Sequence, residues 1–365
     1  MTDNRVMLLV LPLLLSMATA PPPGEVIDHH DPSTREYIGS PSIVILPNGH
    51  YVSSHDFFGP GSTQSKSAVS RVFRSTDRGR SWRKSAEFTD QFWSNLFVHR
   101  RQLYLMGTTF EYGRIVVRRS ADGGVTWSPP AFLTDDTGFH TAPVPIAIKD
   151  GRIWRAMEYH PPGPWGFFEA FLLSAPVAAD LLDPKSWTRS PRFAYPSAEV
   201  GEGVTWLEGN AVVAPNGTLL DILRVHDIEK AAITKFDGTA LHLDRLIDFP
   251  GGSKKFTIRF DRKSKRYWTL SNPAPPGVKN PASIRNTLVL MSSKDLVAWN
   301  VERTVLSHPD TQKHAFQYMD WQFDGNDIIL ASRTAFDDDS GGAPRAHDAN
   351  FLTFHRVIHF RSKAK

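Results

Sequence analysis

Side chains able to move protons or hold anions recur at comparable places along the chain. His55 sits in Ser54-His-Asp56, His140 opens His140-Thr-Ala-Pro-Val-Pro145, and Glu208 opens Glu208-Gly-Asn210. Arg224 and His226 belong to Leu223-Arg-Val-His226, and Arg114, Lys255, Gln317, Tyr318, Arg333 and His347 extend the set. An imidazole, with an ordinary pKa of about 6.5, can take a proton and return it near neutral pH. A guanidinium can clamp a carboxylate through two parallel donors. Glu158 and Glu208 could pair as the two carboxylates of a glycosidase, and both could equally be satisfied structural groups. Solvent exposure alone fills loops with polar residues, so the convergence of His, Arg and Tyr carries more weight than any single member.

Other chemistries are excluded. The 365 residues contain no cysteine, which removes disulfides, thiolate zinc sites, iron–sulfur clusters, thiol nucleophiles and a lipoprotein anchor. No phosphate loop, nucleotide fingerprint or H-E-x-x-H spacing is present. A formal charge of +4 is too small to argue for nucleic acid, which leaves a clustered basic stripe, yet it suits an anionic small ligand or polysaccharide. The acidic turn Asp337-Asp-Asp-Ser-Gly-Gly342 invites calcium, since hard oxygen ligands stand close together; a solvated surface turn has the same composition.

The elements that must position these residues read as all-β. Six hairpins share one grammar of strand, tight polar turn and strand: 41–56, 95–108, 144–158, 210–226, 256–271 and 318–333. Their starts are about 45–60 residues apart, the spacing of four-stranded propeller blades. Six blades are counted over residues 41–360, and a seventh assembled from residues 24–40 and the C-terminal strand stays open. No linker interrupts the chain, so residues 41–365 form one domain after a lead-in at 21–40, and a monomer is expected.

A second signature keeps step with the hairpins. Ser75-Thr-Asp77-Arg-Gly79-Arg-Ser81-Trp82 and Ser120-Ala-Asp122-Gly-Gly124-Val-Thr126-Trp127 share the form S-x-D-x-G-x-[ST]-W, with looser copies at Asp183–Trp187 and Ser293–Trp299. They resemble the Asp-boxes (BNR repeats) of the sialidase-like propellers. The expected role is structural: Asp holds turn N–H groups, Gly takes a positive φ, and Trp packs between blades. In a blade running A to D outward from the axis, these turns lie on the C–D face. The starts of A and C and the ends of B, which carry the polar set above, lie on the opposite face, where a concave centre would bind ligand.

The resemblance also discriminates. A sialidase implies three arginines on the substrate carboxylate, a Tyr–Glu nucleophile pair and an Asp acid. Its first-blade Arg-Ile-Pro falls here at Tyr37-Ile-Gly-Ser-Pro41, without arginine, which counts against sialic acid. The segments around His55, His140, Glu208, Arg224, Gln317 and His347 are similar instead to the rhamnosidases and rhamnose–glucuronate lyases of the same superfamily. That resemblance implies His55 as catalytic acid/base and Arg114 or Arg224 on the uronate; His140, Glu208, His226, Lys255, Gln317, Arg333 and His347 are read as substrate-facing from their blade positions. It leaves lyase or hydrolase open, and a non-catalytic glycan- or protein-binding propeller is the other class.

The N-terminus reads as an export signal. Arg5 precedes the apolar run 6–15, and small residues follow at Ala18 and Ala20. The run is shorter than the roughly 20 residues that span a bilayer. A secreted or periplasmic protein with a signal peptide at 1–20 is expected.

Overall fold

A computed structural model describes residues 20–201 and 205–362. The expected signal segment lies outside the described residues except for Ala20. Six antiparallel sheets follow one another, and each is a blade; in the first five, strands A to D follow chain order. In blade 1 strand A is split into Tyr37–Ile38 and Ser42–Ile45, followed by Tyr51–Phe58, Ser70–Ser75 and Arg83–Phe88. Blade 2 uses Phe92–His99, Gln102–Thr108, Ile115–Ser120 and Ala131–Phe132. Blade 3 splits its first and last strands around Arg152–Tyr159 and Glu169–Pro176. Blade 4 runs Trp206–Val213, Leu219–Val225, Lys230–Phe236 and Leu241–Asp248. Blade 5 runs Thr257–Asp261, Arg266–Ser271, Thr287–Ser293 and Asn300–Ser307.

Blade 6 settles the count. Ala315–Asp324, Asp327–Ala335 and Phe351–Val357 supply three strands, and the N-terminal Glu25–His29 pairs with the last of them as the outer strand. Residues 24–40 therefore close the sixth blade and begin the first. Among the described residues there is no seventh. Closing the ring with strands from both ends of the chain leaves no blade with an unpaired inner face.

The core lies between blades. Each blade is apolar on both sheet faces, and each neighbouring pair encloses its own cluster. Phe97 and Tyr104 meet Phe171 and Leu173 between blades 2 and 3. Ile27, Ile43 and Phe73 meet Ile329, Leu352 and Phe354 where blade 6 meets blade 1. Comparable clusters fill the other four junctions.

The four Asp turns all fall between strands C and D. Asp77 accepts from Ser75 Oγ at 2.8 Å, Ser81 N at 3.0 Å and Ser81 Oγ at 2.6 Å. Asp122 and Asp295 repeat the pattern. The tryptophans lie against the adjacent blade: Trp82 is 5.6 Å from Phe354, Trp127 is 5.8 Å from Phe88, and Trp299 is 5.1 Å from Phe249.

Inner strands are tied around the axis by side chains. Asp320 of blade 6 accepts from Ile43 N and Ser42 Oγ of blade 1, at 3.0 and 2.7 Å. Ser42 Oγ then accepts from Leu96 N of blade 2, and Asn210 of blade 4 accepts from Ile258 N of blade 5. These ties leave the mouth at the B–C end with its backbone already fixed.

Candidate functional site

The inner strands of blades 2, 4 and 6 carry one device. Each begins with a β-bulge, between Phe92 and Asn95, Leu207 and Asn210, and Gln317 and Asp320. The bulged residue has a positive φ without being glycine: 46° at Trp93, 57° at Glu208 and 56° at Tyr318. That conformation is unfavourable for large side chains and is kept only where the surroundings impose it. A bulge re-aims the side chain, here into the mouth of the propeller. The polar residue that ends the bulge, Asn210 or Asp320, makes the inter-blade tie described above and so locks the strand in that form.

The three bulged side chains line one cavity of about 540 Å³ on the face opposite the Asp turns. Tyr318 Oη donates to Glu208 Oε1 at 3.0 Å. Glu208 Oε2 lies 2.6 Å from Arg224 Nε. Arg285 and Arg333 stand over the Tyr318 ring, with Cζ 5.7 and 4.8 Å from its centroid. The three guanidinium groups are no more than 5 % exposed. Each is pinned by a carbonyl or amide: Arg224 by Ser253 O, Arg285 by Gln317 Oε1, and Arg333 by His347 O. The Nε atoms of Arg285 and Arg333 are nevertheless buried without a hydrogen-bond partner. Buried cations with unfilled donors form a site prepared for an anion.

Electrostatics follow from this packing. Burial, then the charge of Glu208, raises the Tyr318 phenol, so its proton leaves only with a base in contact. Burial pushes Arg285 down to about 10, still cationic at neutral pH. Burial and then Arg333 push His347 down to about 3, and burial and then Arg224 lower His226. Both imidazoles are therefore neutral beside the cations.

The opposite wall comes from blades 1 to 3. Trp93, Tyr112 and His140 form an aromatic cluster, with Trp93 4.4 Å from His140 and 5.6 Å from Tyr112. His140 Nδ1 meets Glu158 Oε2 at 2.8 Å, and Glu158 Oε1 accepts from Gly209 N at 2.8 Å. Glu111 reaches the cavity from the B–C turn of blade 2, where Gln64 Nε2 donates to its Oε2 at 3.0 Å.

The absence of a first-blade arginine has a local cause. Asp56 fills the space: its carboxylate accepts from Ser40 N at 2.7 Å and Trp93 N at 2.6 Å. A Cβ on Gly39 would lie 1.7 Å from Asp56 Oδ1, so no side chain fits there. Burial raises the Asp56 carboxyl to about 6 against the pull of these two N–H donors.

Of the residues singled out in the sequence, His140, Glu208, Arg224, His226, Arg333 and His347 do line this cavity. Gln317 and Lys255 lie beneath it. Gln317 holds Arg285, while Lys255 donates to Met319 O at 2.6 Å and supports the bulge after Tyr318. Burial pushes Lys255 down to about 7.

His55 and Arg114 do not reach the cavity. Strand alternation sends Asp56 and Phe58 to the mouth and His55 to the junction with blade 6. There His55 stacks on Phe73 at 5.7 Å, its Nε2 meets Asp28 at 2.9 Å and its Nδ1 meets Asp56 O at 3.0 Å, leaving no atom for substrate. The Arg114 guanidinium lies over the Phe132 ring at 3.8 Å. The Asp337–Gly342 turn uses Asp338 to accept from Ser340 N, Gly342 N and Asn350 Nδ2, and no group of three or more His, Asp or Glu able to hold a metal occurs among the described residues.

Arg285, Glu111 and Trp93 were not among the expected site residues, and Tyr318 was read only as one member of the polar set, without a role of its own. The readable signal was a large residue two positions before Asn or Asp at the start of an inner strand: Trp93-Ser-Asn95, Glu208-Gly-Asn210, Tyr318-Met-Asp320. A larger cavity, about 700 Å³, opens on the Asp-turn side between blades 3 and 4, but its carboxylates Asp150 and Asp237 are held by Lys149 and by the backbone of Thr239 and Ala240.

No protein-family model matches the chain, and no curated protein matches it. Solved structures do. The Hadza microbial sialidase Hz136 superposes with a TM-score of 0.64 at 13% identity, over 92% of this chain and 68% of that one. The fold is that of the sialidase-like six-bladed propellers. A leech intramolecular trans-sialidase (TM-score 0.62, 11% identity, 94% and 72% coverage) and a Penicillium chrysogenum α-L-arabinanase (0.59, 13%, 93% and 97%) share this sialidase-like propeller. At such identities the likeness concerns the architecture, and the chemistry has to be read from the cavity itself.

Proposed function

We propose that the protein is an exported retaining glycoside hydrolase that releases a terminal acidic sugar whose carboxylate adjoins the anomeric carbon. The observation that carries this is the Tyr318–Glu208 hydrogen bond of 3.0 Å beneath three buried arginines. Arg224, Arg285 and Arg333 hold the carboxylate. Glu208 takes the phenol proton as Tyr318 Oη attacks the anomeric carbon. A neutral nucleophile suits such a substrate, because a carboxylate nucleophile would meet the substrate's own negative charge at the reacting carbon. A tyrosine nucleophile is one of the known departures from the two-carboxylate scheme.

The rhamnose–glucuronate reading, drawn from the segments around His55, His140, Glu208, Arg224, Gln317 and His347, implied His55 as acid/base, and His55 has both ring nitrogens engaged away from the cavity. The arginine cluster supports the acidic-sugar part of that reading. The lack of an arginine at Tyr37–Pro41, with Arg333 as third cation, supports an acceptance range different from that of an ordinary sialidase.

The test is turnover of a panel of 4-methylumbelliferyl glycosides of 2-keto sugar acids and of uronic acids, with product configuration followed by proton NMR. Release of a 2-keto sugar acid with retention is expected, and a fluorinated glycosyl fluoride of that sugar should lose fluoride and add its fluoroglycosyl group to the peptide bearing Tyr318. Inversion, or an adduct on another residue, overturns the mechanism. Turnover of uronides alone overturns the placement of the carboxylate.

A further inference from the structure

Breaking a glycosidic bond also requires a proton for the departing oxygen, and Tyr318 and Glu208 cannot supply it from beneath the sugar. Four carboxyl groups line the cavity: Asp56, Glu111, Glu208 and Asp227. Asp56 is 1 % exposed and takes one backbone N–H on each oxygen. Glu208 is committed to Tyr318 and Arg224. Asp227 follows His226, whose Nε2 lies 3.4 Å from it, on the same blade as Glu208. Glu111 alone stands across the cavity on a different wall with one oxygen uncommitted: Oε2 accepts from Gln64, and Oε1 has no hydrogen-bond or ion-pair partner among the described residues.

Its turn is built rather than loose. Glu111 N donates to Gln64 O at 2.8 Å, so backbone and side chain both clip the turn to the B–C loop of blade 1. Tyr112 takes a φ of 59°, and its ring stacks on His160 at 4.5 Å. Gly113 passes so close to Thr109 that a Cβ would fall 2.3 Å from Thr109 Oγ1. A strained, doubly clipped turn that holds a half-buried carboxyl over the mouth is what positioning a proton donor needs.

Resting on the reading of Tyr318 and the arginines above, we propose that Glu111 is the catalytic acid and base of the reaction, held in place by Gln64. In the first step the bond between the anomeric carbon and the leaving oxygen breaks, its electron pair goes to that oxygen, and Glu111 gives it a proton. Tyr318 Oη forms the new bond as Glu208 receives the phenol proton. In the second step Glu111, now a carboxylate, takes a proton from water as the water oxygen bonds to the anomeric carbon. The tyrosyl bond breaks, and Glu208 returns the proton to the phenolate. The acid thus comes from the second blade, on the wall that would face the departing group.

The test compares leaving groups on Glu111→Gln, which keeps an oxygen for Gln64, and on Glu111→Ala. The probes are the methylumbelliferyl glycoside that the wild type turns over and the same sugar linked to lactose. Glu111→Gln should lose roughly 10²–10⁴-fold in kcat/KM on the lactoside, whose poor leaving group needs the proton, and under tenfold on the aryl glycoside. Azide should speed turnover of the aryl glycoside by Glu111→Ala and yield the glycosyl azide. Equal losses on both probes, or the leaving-group signature in His140→Gln instead, overturn the assignment. Tyr318→Phe separates the two claims: it should fail on both probes. If it does while Glu111→Gln behaves as wild type, only the role of Glu111 falls. If wild type turns over no member of the panel, the reading of the site and this proposal fall together.

Discussion

The two ends of the propeller obey opposite rules. At the C–D turns each carboxylate is matched to donors a few residues away, and every left-handed position in the two full repeats is glycine except Arg78. At the B–C end, Trp93, Glu208 and Tyr318 hold positive φ values, and the Nε atoms of Arg285 and Arg333 are buried unpaired. Local sequence explains most of the first end, where Trp127 Nε1 is buried without a partner and Arg78 reaches Asp324 of blade 6. The second is held against local preference by contacts from other blades, as expected where the arrangement serves a ligand rather than the fold.

The comparison breaks first at Tyr318. Removing its hydroxyl deletes the proposed nucleophile while keeping the ring under Arg333. Tyr318→Phe should lower kcat by roughly 10³-fold or more, with the melting temperature within a degree or two of wild type. A Tyr318→Phe enzyme that works normally would show that the strained end is merely strained.

Next come the cations. Arg285→Lys and Arg333→Lys retain charge and lose the planar fork. Each should weaken substrate binding by roughly 10- to 100-fold, the worth of about 1.5–3 kcal/mol for a hydrogen bond to a charged group, seen mainly in KM. A change confined to melting temperature would make the arginines structural.

His55→Ala sharpens the boundary between the ends. His55 lies only one residue from Asp56 of the cavity wall, yet it belongs to the blade 6 junction. Losing its bonds to Asp28 and Asp56 O should cost about 1–3 kcal/mol of stability, with unchanged kcat in the folded fraction. Loss of kcat without destabilisation would return His55 to the chemistry. Asp122→Ala, at the other end, should lower melting by a few degrees and leave kcat and KM as they were, because its partners are confined to its own turn.

These cases also show what the sequence could reveal. The blade count of six and the placement of the Asp turns between strands C and D were legible because hairpins and Asp turns are local and repeat. Glu208 and Tyr318 are 110 residues apart, so no spacing rule joins them; only ring closure does. His55 was misplaced by parity, since a shift of one residue along a strand exchanges the two sheet faces. Arg333 was read from its place at the end of a second strand, whereas Arg285, in the connection between Arg266–Ser271 and Thr287–Ser293, carries no such positional mark. The outer strand of blade 6 came from Glu25–His29 because closure requires a partner for Phe351–Val357, a demand no local pattern expresses.

The smallest expected effect separates the ends by the sign of their pH dependence. Hydrogen bonds from the Ser81 hydroxyl and backbone, and from Ser75, hold Asp77 at about 2 against an ordinary 3.8. A depressed folded-state pKa contributes stability above 3.8 that is lost as pH falls toward 2. Asp56 is the reverse: burial raises it to about 6, so its contribution is complete below 3.8 and is lost as pH rises through 6. Asp77→Asn should therefore flatten the acid limb of a plot of melting temperature against pH. Asp56→Asn should flatten the fall between pH 3.8 and about 6. The slope is the readout rather than the absolute melting temperature, because asparagine at position 56 turns one acceptor into a donor opposite Ser40 or Trp93. Asp77 is exposed and its bonds are screened by solvent, so its change of slope should be the smaller one. Slopes of the same sign at both positions would mean that Asp56 is an ordinary satisfied carboxylate and that the cavity wall is built on the same rule as the turns.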